Sequence, residues 1–144
     1  MKVDTRSPGP ERLRLLLLLL LAPIYFAAGF IHIRHPDFFM KVMPFWVPWP
    51  QQTIVVTGIC ELLGAVGLLI PRTRKLAGIM LALYAVCVFP ANIKHALDHA
   101  AHGTPPGWWY HGPRLIAQPL IVWWSLFAGR VTDWPFGRPV SHSV

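Results

Sequence analysis

Four apolar stretches alternate with polar, proline-rich segments along the chain, and the lengths of the stretches set the reading. Leu15 to Ile33 runs 19 residues with His32 as its only group that ionises near neutral pH. As a helix rising about 1.5 Å per residue it would extend about 28 Å, close to the hydrocarbon thickness of a bilayer. Thr53 to Ile70 follows, ended by Pro71 and the basic turn Arg72-Thr73-Arg74-Lys75, and then Leu76 to Ile93 with Pro90 near its end. Leu115 to Gly129, interrupted by Pro119, is shorter and needs tilt or flanking aromatics to cross. The pattern predicts an all-α, four-helix transmembrane bundle with spans at about 15–33, 53–70, 76–93 and 115–129.

The segments between the spans have characters of their own. Residues 1–14 (MKVDTRSPGPERLR) read as a disordered tail ending in a basic anchor. Residues 34–52 hold prolines at 36, 44, 48 and 50, which forbid one continuous helix, and the aromatics Phe38, Phe39, Phe45, Trp46 and Trp49 suit a segment lying in the membrane interface. Residues 94–114 form a second long loop, with four histidines and the cluster Trp108-Trp109-Tyr110. Residues 130–144 read as a loose polar tail. A signal peptide competes for the first stretch, since a basic start, seven leucines and Phe26-Ala27-Ala28-Gly29 imitate its regions. A retained helix is favoured, because the apolar run continues to Ile33.

Composition supports lipid as the main solvent: 54% of residues are hydrophobic and 13% charged, with a mean hydropathy of +0.46. The net charge of +7 would suggest nucleic acid in a soluble protein. Here the basic residues flank apolar runs, which points to topology and anionic lipid instead, and no basic stretch with interleaved aromatics supports RNA or DNA binding. Lys2, Arg6, Arg12, Arg14, Arg72, Arg74, Lys75, Arg130 and Arg138 fall on one side of the predicted spans, and Arg34, Lys41, Lys94 and Arg114 on the other. This asymmetry places both termini in the cytoplasm of an inner (plasma) membrane protein and the two aromatic-rich loops outside. Cys60 and Cys87 lie within apolar runs without metal-binding or haem-attachment spacing and read as small hydrophobes.

Glu61, at the midpoint of the second stretch, is the most informative residue. A carboxylate there costs about 2.5–3.5 kcal/mol on insertion scales, so it must face other helices. Thr57, Gly58, Gly64 and Ala65 share its helical face, a small and polar seam suited to close helix approach. The bland alternative is a carboxyl buried for packing specificity alone. Tyr25, His32, Asn92, Arg114 and Gln118 fall at similar depth on the other helices and form, with Glu61, a candidate ligand-binding pocket. A second candidate lies in the histidine loop. If the third helix continues, His95, His99 and His102 share one stripe with Asn92, and His95–His99 has the i, i+4 spacing of a metal pair. A solvated, merely histidine-rich loop is favoured over that metal site, and no HExxH motif is present.

Several short motifs occur in a familiar order. Gly29-Phe30-Ile31-His32, Pro36-Asp37-Phe38-Phe39 and Met43-Pro44 are followed by Thr57-Gly58-Ile59-Cys60-Glu61-Leu62-Leu63-Gly64-Ala65. Phe89-Pro90-Ala91-Asn92 comes next, and then Arg114, Gln118-Pro119-Leu120 and Trp123-Trp124. Over about residues 20–128 the chain resembles DoxX-like membrane proteins. The resemblance implies the same bundle and a likeness to the small subunit of an archaeal thiosulfate:quinone oxidoreductase, or to relatives linked with redox homeostasis or protein assembly. The histidine tract 95–111 lies outside that pattern.

Three function classes remain open. The first is a redox-linked supporting subunit whose pocket binds a quinone or similar lipophile, because quinone carbonyls require hydrogen-bond donors in an apolar cleft. The second is a non-catalytic assembly or stabilising factor that docks a membrane partner on its aromatic loops. The third is a small carrier or proton pathway through Glu61. Against an independent enzyme stands the lack of a nucleophile–base arrangement, phosphate loop or cofactor motif.

Overall fold

The computed structural model describes residues 8–137, which are all-helical in regular structure. Five helices follow in order: α1 Pro8–Arg34, α2 Pro36–Met40, α3 Pro50–Leu69, α4 Arg74–His102 and α5 Trp108–Ala128. α1, α3 and α4 are long and apolar enough to cross a membrane. α5 is of similar length, but its first half carries Gly112, Pro113, Arg114 and Gln118, which lower its hydropathy.

Several boundaries differ from the sequence pattern, mainly by extension of the helix starts and of the α4 end. α1 begins at Pro8, so residues 8–14, expected as loose tail, are helical, and the earlier part of that tail lies outside the described residues. Proline in a first turn loses no intrahelical bond, which also lets α3 start at Pro50. α4 runs through Pro90 to His102 and stops at Gly103, whose left-handed φ of 61° lets its N–H bond the His99 carbonyl. Most of the expected histidine loop is therefore helix, and α5 begins at Trp108 rather than Leu115.

The long helices pack in the cyclic order α1, α3, α4, α5, with α5 returning to α1. Leu18, Leu21, Tyr25, Ala65, Leu68, Ala77, Leu81 and Ala128 make the shared core. Two glycine contacts set how closely helices approach. A Cβ on Gly29 would stand 2.6 Å from the Gly58 carbonyl oxygen, and one on Gly78 would stand 2.7 Å from Gly129 Cα. Only glycine permits such crossings. The outward faces are strongly apolar, with Leu16, Leu20, Ile24, Leu63, Leu69, Leu83, Val86 and Leu120 all exposed.

The segment after α5, expected to be loose, is tied down as far as it is described. Arg14, only 5% exposed, places Nη2 2.5 Å from Asp133 Oδ1 and its guanidinium 4.6 Å from the Phe127 ring centre. Arg130 pairs with Glu11 at 2.6 Å, and Trp123 donates to the Trp134 carbonyl at 3.0 Å. Arg14 is thus a buried clamp between α1 and the C-terminal segment rather than an exposed anchor.

Candidate functional site

α3 buries one stripe, Ile54, Gly58, Glu61, Ala65 and Leu68, as the three-to-four-residue spacing of a helix face requires. Glu61 is 3% exposed on that stripe. The Gly29–Gly58 crossing brings α1 close enough for His32 to reach it: His32 Nδ1 stands 2.8 Å from Glu61 Oε2. The same nitrogen lies 2.9 Å from the Ala28 carbonyl oxygen, and only that second contact has hydrogen-bond geometry. Glu61 Oε2 therefore receives a short polar contact from His32 but no aligned hydrogen bond. The His32 ring stacks on Phe39 with ring centres 3.7 Å apart, so α2 covers its outer side.

Two tyrosines complete this group. The Tyr84 hydroxyl lies beside the Glu61 carboxyl and the Thr57 hydroxyl, and Tyr25 lies beside Ser125. The tyrosine rings meet edge to face at 6.4 Å. Four residues from three helices (Tyr25, His32, Glu61 and Tyr84) thus gather donors and acceptors inside an otherwise apolar core.

The remaining expected pocket residues fall elsewhere. Asn92 donates from Nδ2 to Gln118 Oε1 at 3.2 Å, and Gln118 Nε2 donates to the Ala85 carbonyl at 2.8 Å. This bridge ties α5 to α4 on both sides of Pro90. Arg114 donates to His95 Nδ1 at 3.0 Å and lies over Tyr110 at 5.8 Å. Among the described residues no hydrogen bond or ion pair joins Asn92, Gln118 or Arg114 to Glu61. The candidate residues thus fall in three polar groups: His32 and Glu61 meet between α1 and α3, whereas Asn92–Gln118 and Arg114–His95 both bridge α4 and α5, one helical turn apart.

The histidines also regroup. His95 and His99 come together because α4 continues through both, with ring centres 4.5 Å apart. Their third neighbour is His111, 4.9 Å from His95 and 5.1 Å from His99. His102 instead bonds the Asp98 carbonyl through Nδ1 at 2.7 Å and is exposed. The sequence stripe failed there because His102 sits at the end of α4, past the contact with α5. Asp98 is held by Lys94 one turn earlier. Among the described residues no group of three or more His, Cys, Asp or Glu side chains stands in a geometry that could hold a metal ion.

Tyr84 and Ser125 are not marked out in the sequence reading, and His111 enters it only as a histidine of the same loop, although a signal exists for two of the three. His111, Gln118 and Ser125 recur every seven residues and are all buried on one α5 face. Tyr84 carries no such mark, being one of many large residues on α4.

Fold and site together define an all-helical protein with three helices able to cross a membrane and a carboxyl–imidazole pair buried between two of them. The chain belongs to the family described as a domain of unknown function (DUF8561), matched over residues 21–128. The match takes in Tyr25 through Ser125, hence every group of the candidate sites, and leaves out Arg14 and Asp133. No curated protein and no solved structure matches the chain.

Proposed function

We propose that the chain is a DoxX-like protein of the inner membrane that spans it as a four-helix bundle with both termini in the cytoplasm. In this reading its buried Glu61 group serves a supporting redox role by binding the head of a lipophile such as a quinone. Three apolar helices and the exposed leucines of their outward faces support the membrane reading, since so much apolar surface has no stable place in water. α5 supplies the fourth span, and the basic residues flanking the helices favour the cytoplasmic termini.

The observation that carries the ligand reading is the Glu61–His32 contact. A buried carboxyl oxygen that touches His32 without an aligned hydrogen bond can, when protonated, donate to a ligand carbonyl. A quinone carbonyl takes hydrogen bonds, and reduction to the quinol consumes two protons with two electrons. Tyr84 and Tyr25 offer hydroxyl donors, and Glu61 and His32 are groups that exchange protons. The electrons come from a membrane redox partner, so the chain acts as a subunit and not as an independent enzyme. The test is gentle purification from native membranes followed by mass spectrometry of the copurifying lipids. A quinone retained by the wild type and lost in Glu61→Gln is the expected result. Equal lipid content in both removes the ligand reading.

A second reading, a non-catalytic assembly factor, is favoured by the outward aromatics. Phe45 is 89% exposed, and Trp49 and Trp109 are exposed to a similar degree. A partner protein that copurifies with the Glu61→Gln variant as well as with the wild type, and is lost on replacing Trp109 and Trp49, decides for it.

A further inference from the structure

Outside the Glu61 group, the feature least explained by folding alone is the contact of His95, His99 and His111. His111 is 2% exposed, and neither ring nitrogen makes a hydrogen bond; the Pro106 carbonyl lies near the ring but out of line. His99 Nδ1 is likewise buried without a partner. Buried polar atoms are nearly always bonded, so three orphaned imidazole nitrogens in one cluster require a reason.

We propose that His95, His99 and His111 form a binding site for a divalent first-row transition metal, zinc or copper, with one coordination position open to the adjoining cavity. The inference stands apart from the reading of the Glu61 group and survives its failure.

Spacing is the first argument. Three imidazoles on a four-coordinate ion, with metal–nitrogen bonds of about 2.0–2.1 Å, hold their ring centres about 5 Å apart. The three ring separations here are 4.5, 4.9 and 5.1 Å. The rings meet edge to face, and as they stand the three side chains do not make a metal site, so binding requires their torsions to change until one nitrogen of each ring turns to a common point. Two ligands one turn apart on α4 and a third from the first turn of α5 are held by the short 103–107 connection.

Donor chemistry is the second argument. Three imidazoles without a carboxylate suit zinc or copper and disfavour magnesium and calcium. Arginine only donates, so the Arg114 contact means that His95 Nδ1 presents a lone pair. A metal takes that lone pair in place of the guanidinium, which then turns back towards Tyr110. The Pro106 carbonyl lies near the His111 ring, and the ring turn that metal binding requires would let it accept the remaining N–H, the outer bond that usually fixes a ligating histidine.

The third argument is access. A half-open cavity of about 410 Å³ is lined by His99, His111, Gly103, Pro106 and Trp108. A fourth ligand, water or a small anion, enters from there, and an open position of this kind distinguishes reactive from purely structural sites.

The test uses the full chain in detergent, purified through a tag free of histidine, stripped with chelator and titrated with cobalt(II) and copper(II). One equivalent of cobalt should give the intense visible bands of four-coordinate ions, and copper should show nitrogen hyperfine coupling. His99→Ala should weaken binding by more than the roughly 10–100-fold that loss of an outer partner costs. His102→Ala and His35→Ala should bind as the wild type does. His111→Asn, at a buried position, is compared only if its thermal unfolding matches the metal-free wild type; His99→Ala decides the matter without it. The proposal is overturned if stoichiometric binding is absent, or if His102→Ala weakens it as much as His99→Ala.

Discussion

His32 Nδ1 and Glu61 Oε2 stand 2.8 Å apart across the α1–α3 crossing, at the point where Gly29 and Gly58 let two backbones almost touch. The contact joins residues 29 positions apart in the chain and depends on the absence of two side chains. Small residues make the approach, and the approach makes the polar pair.

Glu61→Gln keeps the volume of the side chain and removes its capacity for charge. Burying an ionisable group carries a desolvation penalty, so stability should be unchanged or slightly improved. Insertion should be normal and function lost. Full complementation of a deletion strain by this variant would leave packing as the role of Glu61. Glu61→Ala discriminates less, because the cavity it opens destabilises under either reading.

Gly58→Ala tests the crossing itself. Its Cβ would stand 2.8 Å from His32 Cβ and 2.9 Å from the Gly29 carbonyl oxygen, and neither neighbour is the free end of a flexible side chain. Overpacking costs about 1–3 kcal/mol, partly offset by the roughly 0.5–1 kcal/mol that alanine gains over glycine in a helix. The net effect should be a lower thermal midpoint in detergent together with weaker ligand retention. Cys60→Ala, at an exposed position on the same helix, should stay within about 0.5 kcal/mol of the wild type. Equal stability of the two variants would refute the tight crossing.

Arg14→Ala should destabilise by about 1–3 kcal/mol, because it removes a buried side chain that touches Asp133 and Phe127. Asp133→Asn should cost less than about 1 kcal/mol, since the Asp133 side chain is 71% exposed and water replaces much of the interaction. A double-mutant cycle on unfolding midpoints measures the coupling, and an additive pair would show that the clamp is packing alone.

Reporter fusions test the proposed orientation. Fusions after Arg74 and at the C-terminus should report cytoplasm, and one within 100–107 should report the outside. A C-terminal fusion on the outside would mean that α5 does not cross.

Helical class, the core of each long helix and the special standing of Glu61 could all be read from the chain, because each depends on local quantities. Run length, three-to-four-residue periodicity and the penalty for a charge among apolar residues do not require knowing what packs against what. Its pairing with His32 could be suspected, since both were placed at similar depth, but the distance depended on how closely Gly29 and Gly58 allow α1 to approach α3. Depth alone could not separate Glu61, which meets α1, from Asn92, Gln118 and Arg114, which meet between α4 and α5. Rotation about each helix axis decides which neighbour a side chain meets, and that rotation is fixed by the packing of all four long helices together. The replacement of His102 by His111 shows the same limit. Sequence spacing identifies neighbours on one helix, whereas the third imidazole came from another, brought there by the turn at Gly103 and the docking of α5 on α4.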